Sequence, residues 1–312
     1  SLYAKNKMAQ QTGAIQLSIQ SLVFLSFFLP HVLSSWLFRE AMAGAKRALL
    51  LEKLAQPDGK DLAQLRVDLI RTMLPTASSY NRMVVFLQAE DDQGDEKKEE
   101  DGQGHSFSSR LVVYSVQPNN GLLDVPDEQD PKLKQVQVAL QRDFVGFLTH
   151  HIEWEKWTDN HSTSWYTDKG WEVDYEYEGR APQPHHTMPE WMLCMRDHMM
   201  ETLLLAGDEE TRRDLERLGP PNSCNWNWYK DGRAGLGAHA DDEDLFDGRR
   251  RRIHVVGFSV GAARSFEVVR GAEGAPAAAQ RTAAKATLPA LSYCAMEGWF
   301  QRDLLHAVPP AA

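Results

Sequence analysis

Apolar residues return at helical spacing in three stretches of the chain. In residues 41–74, leucines recur every three or four positions, as in RALLLEKLAQ and DLAQLRVDLIRTML, which predicts helix. The stretch KLKQVQVALQRDFVGFLTHHIEW, residues 132–154, has the pattern of an amphipathic helix, and MPEWMLCMRDHMMETLLL, residues 188–205, predicts another. We therefore predict helices in the first third of the chain and again before residue 206.

The pattern changes from residue 222 onward. Short apolar or alternating runs such as IHVVGFSV, RSFEVVR and LSYCAM are bounded by Gly, Asp and Pro. Such runs at close spacing are typical of an antiparallel barrel or sandwich. We interpret the alanine-rich GAEGAPAAAQRTAAKAT between two of them, residues 271–287, as a long hairpin loop. Helices followed by this strand-rich region predict an α+β protein.

Residues 17–38, LSIQSLVFLSFFLPHVLSSWLF, contain no Asp, Glu, Lys or Arg. Their 22 residues are enough to span a bilayer. Pro30, His31 and several serines dilute the hydrophobicity. We therefore prefer a buried helix, while a membrane or targeting segment stays open as the alternative.

The stretch AEDDQGDEKKEEDGQG, residues 89–104, is acidic and of low complexity. Its composition favours a solvated linker or a disordered loop. We expect an N-terminal region over residues 1–125, with no motif that points to a function, and a separate domain over residues 126–312. The sequence begins with Ser1 rather than Met, so we expect the chain to be a fragment.

Overall composition is ordinary for a globular protein, with 42% hydrophobic and 25% charged residues. Cys194, Cys224 and Cys294 form no C-x-x-C pair, which argues against a disulfide framework or a cysteine zinc site. This usage suits a reducing, intracellular compartment, the nucleus or the cytoplasm. From Asn222 onward 11 Lys/Arg face 10 Asp/Glu, so the net charge of −10 comes from the preceding residues. This charge argues against nonspecific, salt-driven coating of nucleic acid, but it is compatible with a polyanionic substrate near the C-terminal half.

One stretch carries candidate chemistry: NWNWYKDGRAGLGAHADDEDL, residues 225–245. Side chains two apart on an extended segment point the same way, so His239 and Asp241 share a face. A non-haem iron site of the facial-triad type needs two His and one carboxylate. His306, at the end of QRDLLH, is the candidate third ligand. Taken alone, H-x-D also fits an ordinary polar pair on the surface or in the core.

Several further sequence motifs match the patterns of one protein family. PNSCNWNWYKDG and HADDE resemble the family pattern F-N-x4-N-x-Y-x-x-G followed by H-x-D-D-E. SVGAARSFEV, MEGWFQRDLLHAVP and the upstream SWYTDKGWEVDYEYEG are similar to its remaining motifs, in the same order. Over roughly residues 135–312 the chain therefore resembles the AlkB family of Fe(II)/2-oxoglutarate-dependent dioxygenases, and most closely its nucleic-acid alkylation-repair branch. The resemblance implies a double-stranded β-helix (jelly-roll) core flanked by helices.

The resemblance assigns roles to five residues near the metal. It implies that His239, Asp241 and His306 bind Fe(II). It implies that Asn227 and Tyr229 hydrogen-bond the carboxylates of 2-oxoglutarate, the cosubstrate used with O2. Without the family context, Asn227 and Tyr229 read as strand residues that cap a turn.

The resemblance also assigns a substrate side. Glu243 is similar to the acidic residue that meets the exocyclic edge of a base, and Arg264 to an arginine that contacts phosphate or base. Four aromatic residues fall in the stretch that forms the family's nucleotide-recognition flap: Trp165, Tyr166, Tyr175 and Tyr177. An ordinary ion pair for Arg264 and core filling for the aromatic rings are the alternatives.

Together these features imply an oxidative demethylase of N-alkylated bases in DNA or RNA that acts as a monomer. The alternatives are a hydroxylase or demethylase of the same fold acting on protein or a small molecule, and a non-catalytic binding protein with a degenerate dioxygenase fold. Two departures from the family are visible. The family's R-x5-R pattern after H-x-V-P does not occur before Ala312, so we expect the domain to be truncated there, and His161 stands where the family often has arginine.

Overall fold

The computed structural model of the protein describes residues 36–55, 62–88, 108–116, 131–176, 182–272 and 274–311. The chain divides into two compact units, Ser1–Ala48 and Leu49–Ala312, and the sheets and the candidate site belong to the second. The helices of the described residues are α1 Trp36–Ala55, α2 Leu62–Met73, α3 Pro131–His151, α4 Glu190–Ala206, α5 Glu209–Leu218 and α6 Phe300–Asp303. The strands are β1 Tyr80–Gln88, β2 Ser109–Val116, β3 Glu155–Thr158, β4 His161–Thr167, β5 His185–Thr187, β6 Ser223–Tyr229, β7 Leu236–His239, β8 Val255–Ser259, β9 Arg264–Arg270, β10 Arg281–Leu288, β11 Ser292–Gly298 and β12 Leu305–Val308.

Two four-stranded antiparallel sheets form the centre of the fold. One has the order β1-β2-β11-β8 and the other β10-β9-β12-β7. Apolar side chains from both sheets and from the segment around α6 meet in one buried cluster: Leu111, Val113, Phe266, Val268, Ala286, Leu288, Cys294, Met296, Phe300 and Leu304. This architecture confirms the predicted α+β class and the jelly-roll core.

The central strands β2 and β11 are buried at nearly every position. Strands covered on both faces carry continuous apolar runs rather than alternation, which explains the pattern of LSYCAM. A third sheet is built around β4. Strand β4 pairs antiparallel with β6 along one edge. Along its other edge, β4 pairs antiparallel with β3 and parallel with β5.

The predicted helices of residues 132–154 and 188–205 are confirmed as α3 and α4. The predicted helix of residues 41–74 is present as two helices, α1 and α2. The prediction of one long hairpin loop over residues 271–287 is wrong in its second half, because β10 begins at Arg281 and pairs with β9 as far as Leu288. Alanine has a low strand propensity, but pairing with β9 and burial of Ala286 override it here.

Parts of the N-terminal region contribute to the same sheet as the C-terminal strands. Strand β2 lies before residue 126, the predicted domain boundary, yet it pairs with β11 from Tyr114↔Tyr293 to Ser109↔Gly298. Two stretches lie outside the described residues: residues 17–35 of the apolar segment 17–38, and the acidic segment 89–104. Among the described helices, none is both long and apolar enough to cross a membrane.

Candidate active site

Two neighbouring strands bring the predicted metal ligands together. In the antiparallel pair β7–β12, His239 lies directly opposite His306, and Asp241 follows two residues after the end of β7. The carboxylate oxygens of Asp241 lie 3.8 Å from Nε2 of His239 and 3.6 Å from Nε2 of His306. One potential ligand atom from each of the three residues lies within 4.8 Å of the others. Side chains 67 positions apart in the sequence therefore converge on one point.

The chemistry of these three side chains fits a divalent metal ion. Nδ1 of His239 lies 2.8 Å from the carbonyl oxygen of Gly237, so Nδ1 carries the hydrogen and Nε2 keeps its lone pair on the side of Asp241. Burial, with His239 beside it, lowers the pKa of His306 well below its ordinary value and keeps the imidazole neutral. Burial raises the pKa of Asp241; the nearby His239 opposes this rise and the carboxylate of Asp242 adds to it. Two imidazoles and a carboxylate are the ligand set of non-haem iron sites, so Fe(II) fits.

A glutamine fixes the backbone of Asp241, the predicted carboxylate ligand. Oε1 of Gln301, in α6, accepts a hydrogen bond from the backbone N–H of Asp241 at 2.9 Å, and its Nε2 lies 3.4 Å from Sδ of Met296. Gln301 is only 2% exposed, so these contacts are shielded from water. Phe266 stacks against the ring of His306 with centroids 5.5 Å apart. The sequence showed Gln301 inside a quoted motif but gave no sign of this contact.

Asn227 and Tyr229 lie on one face of β6, as alternation requires. Strand β4 pairs with β6 so that His161 lies opposite Tyr229. Nε2 of His161 lies 2.9 Å from Oδ1 of Asn227, and its ring stacks on Tyr229 with centroids 4.7 Å apart. His161, only 3% exposed, is therefore part of this pair's surroundings. The sequence marked His161 only as a departure from the family and gave no sign of this contact, because His161 and Asn227 are 66 positions apart.

This arrangement leaves two donors on the shared face of β6. Oδ1 of Asn227 can only accept, so Nε2 of His161 donates to it, and the Nδ2 group of Asn227 remains available to donate. Burial raises the pKa of Tyr229 to about 12, so its hydroxyl keeps its proton at neutral pH. Two donors two residues apart suit a carboxylate, as predicted for 2-oxoglutarate; that contact stays a prediction.

Three of the predicted substrate residues, Trp165, Tyr175 and Glu243, are connected by direct contacts. The hydroxyl of Tyr175 donates to Oε1 of Glu243 at 2.6 Å, and Trp165 stacks on Tyr175 with centroids 4.8 Å apart. Trp165 is 1% exposed and donates its Nε1–H to the carbonyl of Val173, so its ring is packed within the protein. Tyr166 points to the opposite face of β4. Tyr177 lies outside the described residues.

Glu243 itself has an incomplete set of partners. Its Oε2 atom is buried and accepts no hydrogen bond within the described part of the chain. Burial raises the pKa of this carboxyl, partly offset by the bond from Tyr175. Arg264, in contrast, does not contact Glu243: its guanidinium lies over the ring of Tyr229, 5.1 Å from the centroid. The roles of these residues towards a substrate stay predictions.

The comparison with known families covers this whole site. Residues 131–312 match the sequence profile of the 2OG-Fe(II) oxygenase superfamily, a stretch that contains the metal triad, the β6 donors and Glu243. No curated protein matches the chain. The profile spans more than half of the chain, and the geometry of His239, Asp241 and His306 agrees with it. The chain therefore belongs to the 2OG-Fe(II) oxygenase superfamily and is a dioxygenase that uses Fe(II), 2-oxoglutarate and O2.

Proposed function

We propose that the protein is an oxidative demethylase of N-alkylated bases in DNA or RNA. The observation that carries this proposal is the carboxylate of Glu243 beside the metal triad. One of its oxygens is held by Tyr175 and the other is a buried acceptor with no donor among the described residues. A buried acceptor without a partner costs free energy, and the exocyclic amine of a base supplies the missing donor. The motif resemblance to the alkylation-repair branch supports the same assignment.

Each part of the site has a physical task in this proposal. His239, Asp241 and His306 hold the metal, and Asn227 with Tyr229 orient the cosubstrate by hydrogen bonds. Bound Fe(II), 2-oxoglutarate and O2 supply the oxidation of an N-methyl group to a hemiaminal, with succinate and carbon dioxide as co-products. The hemiaminal then releases formaldehyde and leaves the unmethylated base. Glu243 fixes which edge of the base faces the metal.

A product assay tests the substrate class. The protein is incubated with Fe(II) and 2-oxoglutarate and either single-stranded DNA or RNA carrying N-methylated adenine or cytosine, or a methyl-lysine peptide. We expect formaldehyde from the oligonucleotides, with one succinate for each formaldehyde. Glu243→Gln keeps the size of the side chain but places an amide beside the base, so formaldehyde release should fall about 10- to 100-fold. Turnover of 2-oxoglutarate without substrate should persist in this variant.

The second candidate is an oxygenase of the same fold that acts on a protein or a small molecule. The net charge of −10 favours it, because a polyanionic substrate is repelled by an acidic protein. Formaldehyde or hydroxylated product from peptides alone would replace the nucleic-acid proposal with this one. Absence of 2-oxoglutarate turnover under every condition would instead favour a binding protein with a degenerate site.

A further inference from the structure

A groove between α2 and α4 shares no lining residue with the metal triad, the β6 donors or Glu243. Its volume is about 780 Å³, and residues of both helices and of the segment 74–78 line it. The lining residues on α4 extend from Glu190 to Leu205, a distance of about 22 Å along the helix axis. A groove of this length accommodates about four turns of another helix.

The floor of the groove is apolar. Its apolar lining residues come from both helices and from the segment between α2 and β1: Val67, Leu74, Pro75, Ala77, Leu193 and Leu205. Val67 and Ala77 are buried, whereas Leu205, near the end of α4, is 58% exposed. Contact between water and an exposed leucine is unfavourable, so a partner that covers this end of the groove gains free energy of binding.

The rim of the groove on α4 is acidic. Glu190, Asp197 and Glu201 are exposed and lie seven and four residues apart, so their carboxylates are on one side of the helix. Along the helix axis they are separated by about 10 Å and about 6 Å. Asp197 lies 3.8 Å from Nε of Arg196, which binds Asp168 more closely through Nη1. Within the described part of the chain, Glu190 and Glu201 take part in no ion pair.

The groove contains little positive charge of its own. Arg71 is the only Lys or Arg among the lining residues that the structure describes, and its Nη1 lies 3.7 Å from Asp68 on the same helix. Burial lowers the pKa of His198, the histidine that lines the groove, so its imidazole is uncharged at neutral pH. The three carboxylates of the rim therefore face one arginine, and a carboxylate already balances that arginine.

We propose that this groove binds a basic amphipathic helix of a partner protein. The partner helix places apolar side chains on the floor of the groove, and Lys or Arg side chains opposite Glu190, Asp197 and Glu201. These cations have the same spacing of seven and four residues as the carboxylates they meet. Complementary charges along the rim set the position of the partner helix, and burial of its apolar face supplies the affinity. The proposal is independent of the substrate of the metal site.

Two synthetic peptides test this interaction on the full chain. Both form a helix of about 15 residues with leucines on one face; one carries three lysines at the spacing of the rim carboxylates, and the other carries glutamates in their place. Their dissociation constants are measured by fluorescence anisotropy for the unmodified protein, for the double variant Asp197→Lys/Glu201→Lys and for Leu205→Ser. The matched control is Glu209→Lys/Glu216→Lys on α5, which makes the same change in net charge at exposed residues that do not line the groove.

We expect the unmodified protein to bind the lysine peptide about 10- to 50-fold more tightly than the glutamate peptide, because each exposed ion pair contributes a small factor and three act together. This preference should diminish as the salt concentration is raised. The double variant should prefer the glutamate peptide. Leu205→Ser should weaken binding of the lysine peptide about three- to tenfold, because it removes apolar contact area. The control on α5 should bind both peptides as the unmodified protein does.

Four results would overturn the proposal. Failure of both peptides to bind the unmodified chain would show that the groove does not accept a helix. An equal effect of the control on α5 would reduce the interaction to net charge, and unchanged binding by Leu205→Ser would place the peptide outside the groove. A dimer that forms with rising protein concentration in sedimentation, and that Leu205→Ser dissociates, would assign the groove to a second copy of the chain. None of these measurements involves the metal or turnover, so failure of the demethylase proposal leaves them intact.

Discussion

Replacing His161 with phenylalanine removes the N–H that donates to Asn227 and keeps an aromatic ring over Tyr229. Replacing it with glutamine does the reverse, since the side-chain amide retains a donor but loses the ring. The bond at stake joins Nε2 of His161 to Oδ1 of Asn227 over 2.9 Å. A neutral hydrogen bond contributes about 1 kcal/mol net, which corresponds to about fivefold in affinity. Asn227 is exposed, so water can replace the lost donor, and this limits the effect to that order.

We expect His161→Phe to weaken the binding of 2-oxoglutarate without changing the binding of the metal ion. The dissociation constant of 2-oxoglutarate, measured by calorimetry on the Mn(II)-loaded protein, should rise about three- to tenfold in His161→Phe, because the Asn227 amide is no longer held with its Nδ2 towards the ligand. In His161→Gln it should stay within about twofold. The affinity for Mn(II) should be unchanged in both. Normal 2-oxoglutarate binding by His161→Phe, or an equal loss in both variants, would refute the orienting role and leave ring stacking as the function of His161.

Two further predictions follow from contacts outside the donors. Gln301→Leu should weaken Mn(II) binding about 10- to 100-fold, because it releases the backbone of Asp241, while its thermal midpoint reports separately on folding; unchanged metal affinity would contradict this. Asp208 accepts a hydrogen bond from the N–H of Thr211 at the start of α5 and forms an ion pair with the buried Arg110. Asp208→Ala should therefore lower the free energy of unfolding, measured in urea, by about 2 kcal/mol. Asp208→Asn keeps the helix cap and should lower it by about 1 kcal/mol. Burial alone raises the pKa of Asp208, but Arg110 holds this pKa below its ordinary value. The stabilisation is therefore present above about pH 4 and is lost as the pH falls through the lowered pKa of the folded protein. A stability difference between Asp208→Asn and the unmodified protein that does not shrink on acidification would count against this prediction.

Periodicity located the helices α3 and α4 and the apolar strands β8, β9 and β11, but not the remaining strands. The apolar spacing of residues 132–154 and 188–205 predicted α3 and α4, since both helices bury one face. The alanine-rich β10 could not be predicted in this way, because alanine carries little strand preference and its burial depends on β9, which is distant from any local signal. The role of β2 as the partner of β11 was equally hidden, because the pairing joins residues almost two hundred positions apart.

The candidate site, like the fold, was only partly predictable from the sequence. H-x-D on an extended segment predicted that His239 and Asp241 share a face, but the position of His306 opposite them came from the motif resemblance and depends on the pairing of β12 with β7. The contact between His161 and Asn227 and the contact between Gln301 and Asp241 are cross-element hydrogen bonds with no local pattern. The buried Nε of Arg264, which has no acceptor among the described residues, is also visible only in the folded chain.

Titration with Mn(II), followed by electron paramagnetic resonance, tests the central claim most directly. The account predicts one tightly bound ion per chain and a loss of at least about 100-fold in affinity for His306→Ala, since the variant removes one of three ligands. His185→Ala is the matched control, because His185 contacts Asp174 and is not one of the three residues of the triad, so its loss should leave the titration unchanged. Metal binding by His306→Ala that is as tight and as stoichiometric as in the unmodified protein would contradict the account.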